Sequence, residues 1–255
     1  MEIVISKFGD LVGKRFFVVA CLLFVITSSW IYLLGGAGMP MGHMSMMKFM
    51  NQTSWNLHYS ATMFMMWWVM MIAMMLPSAM PMVLIFNTLN KRMGDSKFST
   101  VAVFAASYLL VWGGFSLLAT AVQWVLVQHD LLATMGPINH RYFSAGILVA
   151  GGLWQFTSFK NSCLETCRSP LQFLSENWSG GIRGSFAMGS KHGLFCLGCC
   201  WFLMALLFYG GIMNLLWIIG LTVFVLLEKL IPPHLYFSKL TGAGLLIWGL
   251  LLGLA

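Results

Sequence analysis

The chain has 255 residues, of which 59% are hydrophobic and only 8% charged. A soluble domain carries roughly 25% charged residues, so this chain cannot cover itself for water and reads as an integral membrane protein. Its net charge of +7 does not point to nucleic acid, because the basic residues lie in short segments between apolar runs and form no patch.

The apolar runs are long and lack period-2 alternation, so the spans are helices and not barrel strands. Lys7, Lys14 and Arg15 precede the first span, residues 16–34. Small residues (Gly35 to Gly38) follow it, as a cleavage site would need. Its apolar core is nevertheless long for a signal-peptide h-region of roughly 7–15 residues, and it is read as a retained span. Residues 38–58 are too polar and broken to span. They carry Met39, Met41, His43, Met44, Met46, Met47 and Met50.

Span 2, residues 59–86, holds Met63, Met65, Met66, Met70, Met71, Met74, Met75, Met80 and Met82, with Pro77 and Pro81 in its second half. A proline leaves the carbonyl four residues back without its partner, so Ala73 and Pro77 offer free carbonyls and a kink is expected. Lys91, Arg92, Asp95 and Lys97 precede span 3, residues 101–127. Gly113, Gly114, Ser116 and Ala119 give that helix a small-residue face for close packing. A loop with His129, Asp130 and His140 leads to span 4, residues 142–159. A polar segment, residues 160–185, contains Cys163 and Cys167.

Span 5, residues 186–209, carries His192, Cys196, Cys199 and Cys200 at i, i+4, i+7 and i+8, which is one helical face. A Gly210-Gly211 turn precedes span 6, residues 213–227. Glu228-Lys229 reads as a helix end at the cytoplasmic interface. A short glycine-rich span 7, residues 240–254, completes the chain. The expected fold is all-α: a single integral membrane domain over 1–255 with about seven transmembrane helices. Twelve of the fourteen lysines and arginines fall on one side if the N-terminus is cytoplasmic, and only Lys48 and Arg141 on the other. The positive-inside rule therefore puts the methionine-rich segment outside and the 160–185 segment inside.

Thioethers and thiolates are soft ligands. Together they favour Cu(I), while thiolates alone also suit zinc or iron. Methionine stays neutral at any pH and is not consumed by disulfide formation, so it suits an oxidising compartment. Thiolates bind more tightly and belong on the reducing side. Six methionines and a histidine within residues 39–50 have no packing reason in exposed chain. Met63, Met66, Met70 and Met74 form one stripe along span 2, where packing is the plainer reading. Cys163 and Cys167, at i, i+4, and the span-5 cysteines are expected to converge at one end of two helices, with His192 a further candidate ligand. Cys21 reads as packing, and His58, His129, His140 and His234 as solvated interfacial residues. No Cys-x-x-Cys-His pattern supports a c-type haem. Cys196-Leu197-Gly198-Cys199 is a Cys-x-x-Cys, which keeps a membrane thiol–disulfide oxidoreductase open.

Several pieces together resemble a family of bacterial integral membrane proteins described as predicted metal-binding, defined by a domain of unknown function. They are the Trp68 to Pro77 stretch, Cys163-Leu164-Glu165-Thr166-Cys167-Arg168-Ser169-Pro170, Cys196-Leu197-Gly198-Cys199-Cys200-Trp201, the Gly211 to Trp217 stretch, and Glu228-Lys229. The resemblance covers about residues 60–230. It implies a multi-pass inner-membrane protein with a metal role and no established reaction. Copper follows from ligand softness and not from the resemblance.

The leading expectation is therefore a Cu(I)-handling protein of the bacterial inner membrane. It acts in uptake or in delivery to a membrane copper enzyme, with a copper chaperone as a further candidate partner. Met39, Met41, His43, Met44, Met46, Met47 and Met50 would capture the ion. Cys163, Cys167, His192, Cys196, Cys199 and Cys200 would hold it. The rivals are a thiol oxidoreductase built on Cys196 and Cys199, and a structural subunit of a larger membrane complex.

Overall fold

The computed structural model describes residues 2–37, 55–95, 97–132, 136–232 and 236–254, with side chains from Arg15 onward. The methionine-rich loop expected to capture copper lies outside these residues, as does His234.

The described chain is helical: α1 (Glu2–Leu34), α2 (Leu57–Arg92), α3 (Phe98–Gln128), α4 (Arg141–Trp154), α5 (Ser158–Arg168), α6 (Pro170–Asn177), α7 (Gly181–Gly210), α8 (Leu215–Leu230) and α9 (Phe237–Leu254). Five stretches are long and apolar enough to cross a membrane: Arg15–Leu34, then α2, α3, α7 and α9. The other two expected spans are short. α4 has 14 residues and α8 has 16, about 21 and 24 Å at 1.5 Å per residue, against a hydrocarbon core of about 30 Å. Span 4 stops at Trp154, earlier than expected. Thr157 then caps a new helix by accepting the Lys160 backbone N–H at 3.3 Å, so the chain restarts as α5.

α2 continues unbroken through Pro77 and Pro81. Two residues before Pro77, the Met75 carbonyl accepts from the Ser78 hydroxyl at 2.9 Å and from the Tyr108 hydroxyl at 3.3 Å.

The closest helix contact is between α3 and α7. It is made by glycines of α7, while Gly113, Ser116 and Ala119 of the small face of α3 are also buried. A Cβ on Gly189 would lie 2.1 Å from Ser107 Oγ and 2.2 Å from the Phe104 carbonyl oxygen. On α3, Gly113 faces the Trp68 ring, whereas Gly114 has open space around it. α4 and α9 meet similarly, with a Cβ on Gly152 falling 2.9 Å from the Gly242 carbonyl. In a membrane, such small residues allow backbone approach where lipid gives no hydrophobic drive.

Two apolar cores result. The larger gathers α2 methionines with Cys163, Cys196, Cys199 and Cys200; the smaller joins α1, α2, α3 and α6 around Phe86 and Phe104, whose rings stack at 4.4 Å.

Candidate metal centre

The i, i+4, i+7, i+8 spacing on α7 does what the period demands. His192 is 3% exposed, Cys196 0%, Cys199 1% and Cys200 0%. Their depth differs from expectation. α7 begins at Gly181, not near residue 186, so Cys196 lies fifteen residues in (181 to 196), about 22 Å along a 30-residue helix. The thiols sit midway along α7 and not at its end.

α5 brings the second pair. Gly198 has no side chain, and a Cβ there would stand 2.8 Å from Cys163 Sγ, so this glycine lets α5 close on α7. Cys163 is buried and Cys167 half-buried. The neighbouring Cys196 and Cys199, and then burial, hold the Cys167 thiol well above the ordinary thiol pKa. Burial, and then the neighbouring Cys199, push Cys163 upward as well. α5 and α7 thus meet at Cys163 and Gly198, and Cys163, Cys196, Cys199 and Cys200 share one buried core with Cys167 packed against it.

The Cys199 and Cys200 thiols donate back to the Cys196 carbonyl, at 3.0 and 2.9 Å. Cys200 Sγ also stands 3.9 Å from the Met75 thioether of α2. Cys196 Sγ is met by the Tyr108 hydroxyl at 3.2 Å and by Lys229 Nζ at 3.2 Å. Lys229 further donates to Ser78 Oγ at 2.8 Å. Since Ser78 and Tyr108 both donate to the Met75 carbonyl, a closed polar ring joins α2, α3, α7 and α8 around one cysteine. His192 stacks on Tyr108 with centroids 5.5 Å apart, and its buried Nδ1 has no hydrogen-bond partner among the described residues.

Sequence reasoning missed the roles of Lys160, Arg168, Glu228 and Lys229 here. Glu228-Lys229 does end α8, but neither side chain is a simple interfacial charge. Glu228 is 1% exposed and accepts from Lys160 Nζ at 2.6 Å; Lys160 is itself 0% exposed and also donates to Gln155 Oε1. Arg168 grips the Glu228 carbonyl through Nη2 at 2.6 Å and Nε at 3.1 Å. α5 therefore holds the end of α8 while its cysteines reach α7. A signal was present: Ile218, Leu221, Val225 and Glu228 step by three, four and three, which puts the glutamate on the buried stripe of α8.

His58, His129 and His140 are exposed, in keeping with solvated residues. Cys21 of α1 lies apart from the cluster, half-buried beside Leu22 and Val25. Among the described residues, no group of three or more His, Cys, Asp or Glu side chains is placed so that it could hold a metal ion. The thiols are instead satisfied by main-chain and neighbouring partners.

An all-helical protein with several membrane-length helices and a buried cluster of thiols and thioether belongs chemically with soft-metal proteins. A family model described as PpoB2, copper chaperone, matches residues 64–252, and the chain belongs to that family. The matched region contains every described residue of the sulfur cluster and Lys160, Glu228 and Lys229; the methionines of residues 39–50 precede it. No curated protein and no solved structure gives a significant match.

Proposed function

We propose that this protein is a multi-pass copper chaperone of the bacterial inner membrane that holds Cu(I) between α5 and α7 and passes it to a membrane copper enzyme. The observation that carries the reading is the close approach of α5 to the cysteine face of α7: Cys163 packs on Gly198 and shares one buried core with Cys196, Cys199 and Cys200, against which Cys167 packs. Cys167, Cys196, Cys199 and Cys200 make the ligand set, and Cys163 and His192 stand beside it. On this reading α4 and α8 cross with the five longer helices, the N-terminus is cytoplasmic, and residues 160–185 face the cytoplasm. The methionines of residues 39–50 collect the ion outside.

Loading exchanges hydrogen bonds for metal bonds. Each thiol that ligates must lose its proton. The Cys199 and Cys200 thiols leave the Cys196 carbonyl and turn toward the ion. Cu(I) held by two thiolates carries a net charge of −1, which is costly inside a membrane unless compensated. Lys229, already against Cys196 Sγ at 3.2 Å, supplies that positive charge. Cys167, the least buried of the four, is the natural point of exchange with an acceptor.

The test is copper retention. Reduced protein, loaded anaerobically with Cu(I) in detergent and desalted, is expected to keep copper, and the Cys199→Ser/Cys200→Ser protein to lose most of it. Full stoichiometry in that variant refutes the assignment. No copper, with Cys196 and Cys199 recovered as a disulfide, transfers the site to thiol redox chemistry.

A further inference from the structure

α2 carries more than one contact to the thiols. Met63, Met66, Met70, Met71, Met74 and Met75 are each no more than 1% exposed, and all lie in the same core as Cys163, Cys196, Cys199 and Cys200. Met65, between them in sequence, faces outward at 48% exposure, so the methionines concentrate on the inner side of the helix. Further along, Met82 belongs to the other core, which contains no cysteine. From Met63 to Met75 the thioethers cover twelve residues, about 18 Å of helix. At the near end Met63 Sδ lies 3.9 Å from Gln123 Nε2, and at the far end Met75 Sδ lies 3.9 Å from Cys200 Sγ.

Packing alone does not ask for this composition. Burying methionine costs up to about 2 kcal/mol of rotamer entropy, against about 0.5–1 for leucine or isoleucine. Six buried methionines on one helix are thus a poorer way to fill a membrane core than branched aliphatics. What methionine adds is a neutral, soft, mobile donor that ligates Cu(I) without having to lose a proton.

The geometry points to a thioether path along the inner face of α2 that leads Cu(I) to the thiols, with Met75 ligating the ion together with Cys200 at the point of transfer. This rests on the thiol cluster being the copper site. The ion passes between neutral donors without change of oxidation state, and protons leave only when it reaches the thiols.

The test uses selenomethionine-labelled protein carrying one equivalent of Cu(I), examined at the selenium edge. A copper–selenium contact is expected in the labelled protein and is lost in Met75→Leu, a near volume-conserving change. In sealed membrane vesicles with the Leu57 end of α2 facing the medium, external Cu(I) should reach the thiols at least tenfold more slowly in Met66→Leu/Met70→Leu. The final copper content of that variant should be unchanged, and the outward-facing Met65→Leu should behave as the parent. A copper–selenium contact that persists in Met75→Leu, or an unchanged loading rate in Met66→Leu/Met70→Leu, overturns the path while leaving the thiol site standing. Copper content that is indifferent to Cys199→Ser/Cys200→Ser overturns both.

Discussion

Lys160→Met isolates the buried ion pair that joins α5 to α8. Lys160 and Glu228 are 0% and 1% exposed and 2.6 Å apart, so neither charge has water to return to. Removing one partner of a buried pair costs about 3–5 kcal/mol, because the survivor stays desolvated. At roughly 2–4 °C per kcal/mol for a chain of about this size, the thermal midpoint should fall by about 6–20 °C. Arg168 binds the main-chain carbonyl of Glu228, not its carboxylate, and offers only partial relief. The double variant Lys160→Met/Glu228→Met removes both charges and fills similar volume. What it still loses is the Lys160 donor to Gln155 Oε1, about 1–3 kcal/mol. The double variant should therefore melt above Lys160→Met. Near-ultraviolet circular dichroism in one detergent, at a fixed scan rate, measures all of these. A single variant within about 2 °C of the parent, or a double variant that falls by the sum of the singles, refutes the ion-pair argument.

Gly189→Ala should prevent normal association of α3 with α7, since its Cβ would meet a carbonyl oxygen at 2.2 Å, whereas Gly114→Ala, with open space around it, should be neutral or stabilising by up to about 1 kcal/mol. Fluorescence-detected size exclusion distinguishes the two. Gly198→Ala should push Cys163 and α5 away from α7, costing about 1–3 kcal/mol of stability and weakening Cu(I) binding, read by competition with a chromophoric chelator. Lys229→Met should lower Cu(I) affinity at least tenfold, about 1.4 kcal/mol, and Lys229→Arg should restore most of it. Equal affinities in all three proteins would remove Lys229 from the site.

The helical class, the buried cysteine face of α7 and the apolar character of α2 were legible because each is a matter of period, and period survives in one dimension. His192, Cys196, Cys199 and Cys200 are buried together for that reason. Depth was not legible. The first turns of α7, from Gly181, are glycine-rich and carry Arg183, which reads as loop; in the fold they are helical and lead into the close contact of Gly189 with α3. The fate of the charges was hidden for a similar reason. Lys160, Glu228 and Lys229 sit at segment ends where charge normally meets water, and only the return of α5 onto α7 and α8 buries or pairs them. The choice of Gly189 over Gly113 and Gly114 for the closest approach also depends on which helix lies opposite, which spacing within one helix does not state.

The central claim is that one Cu(I) ion is shared between sulfurs of α5 and α7. X-ray absorption at the copper edge, on protein loaded with one equivalent, tests it most directly. The account predicts a shell of sulfur alone that loses one scatterer in Cys167→Ser and collapses in Cys196→Ser/Cys199→Ser/Cys200→Ser. A shell dominated by nitrogen or oxygen, or a sulfur count that does not respond to either change, would contradict it.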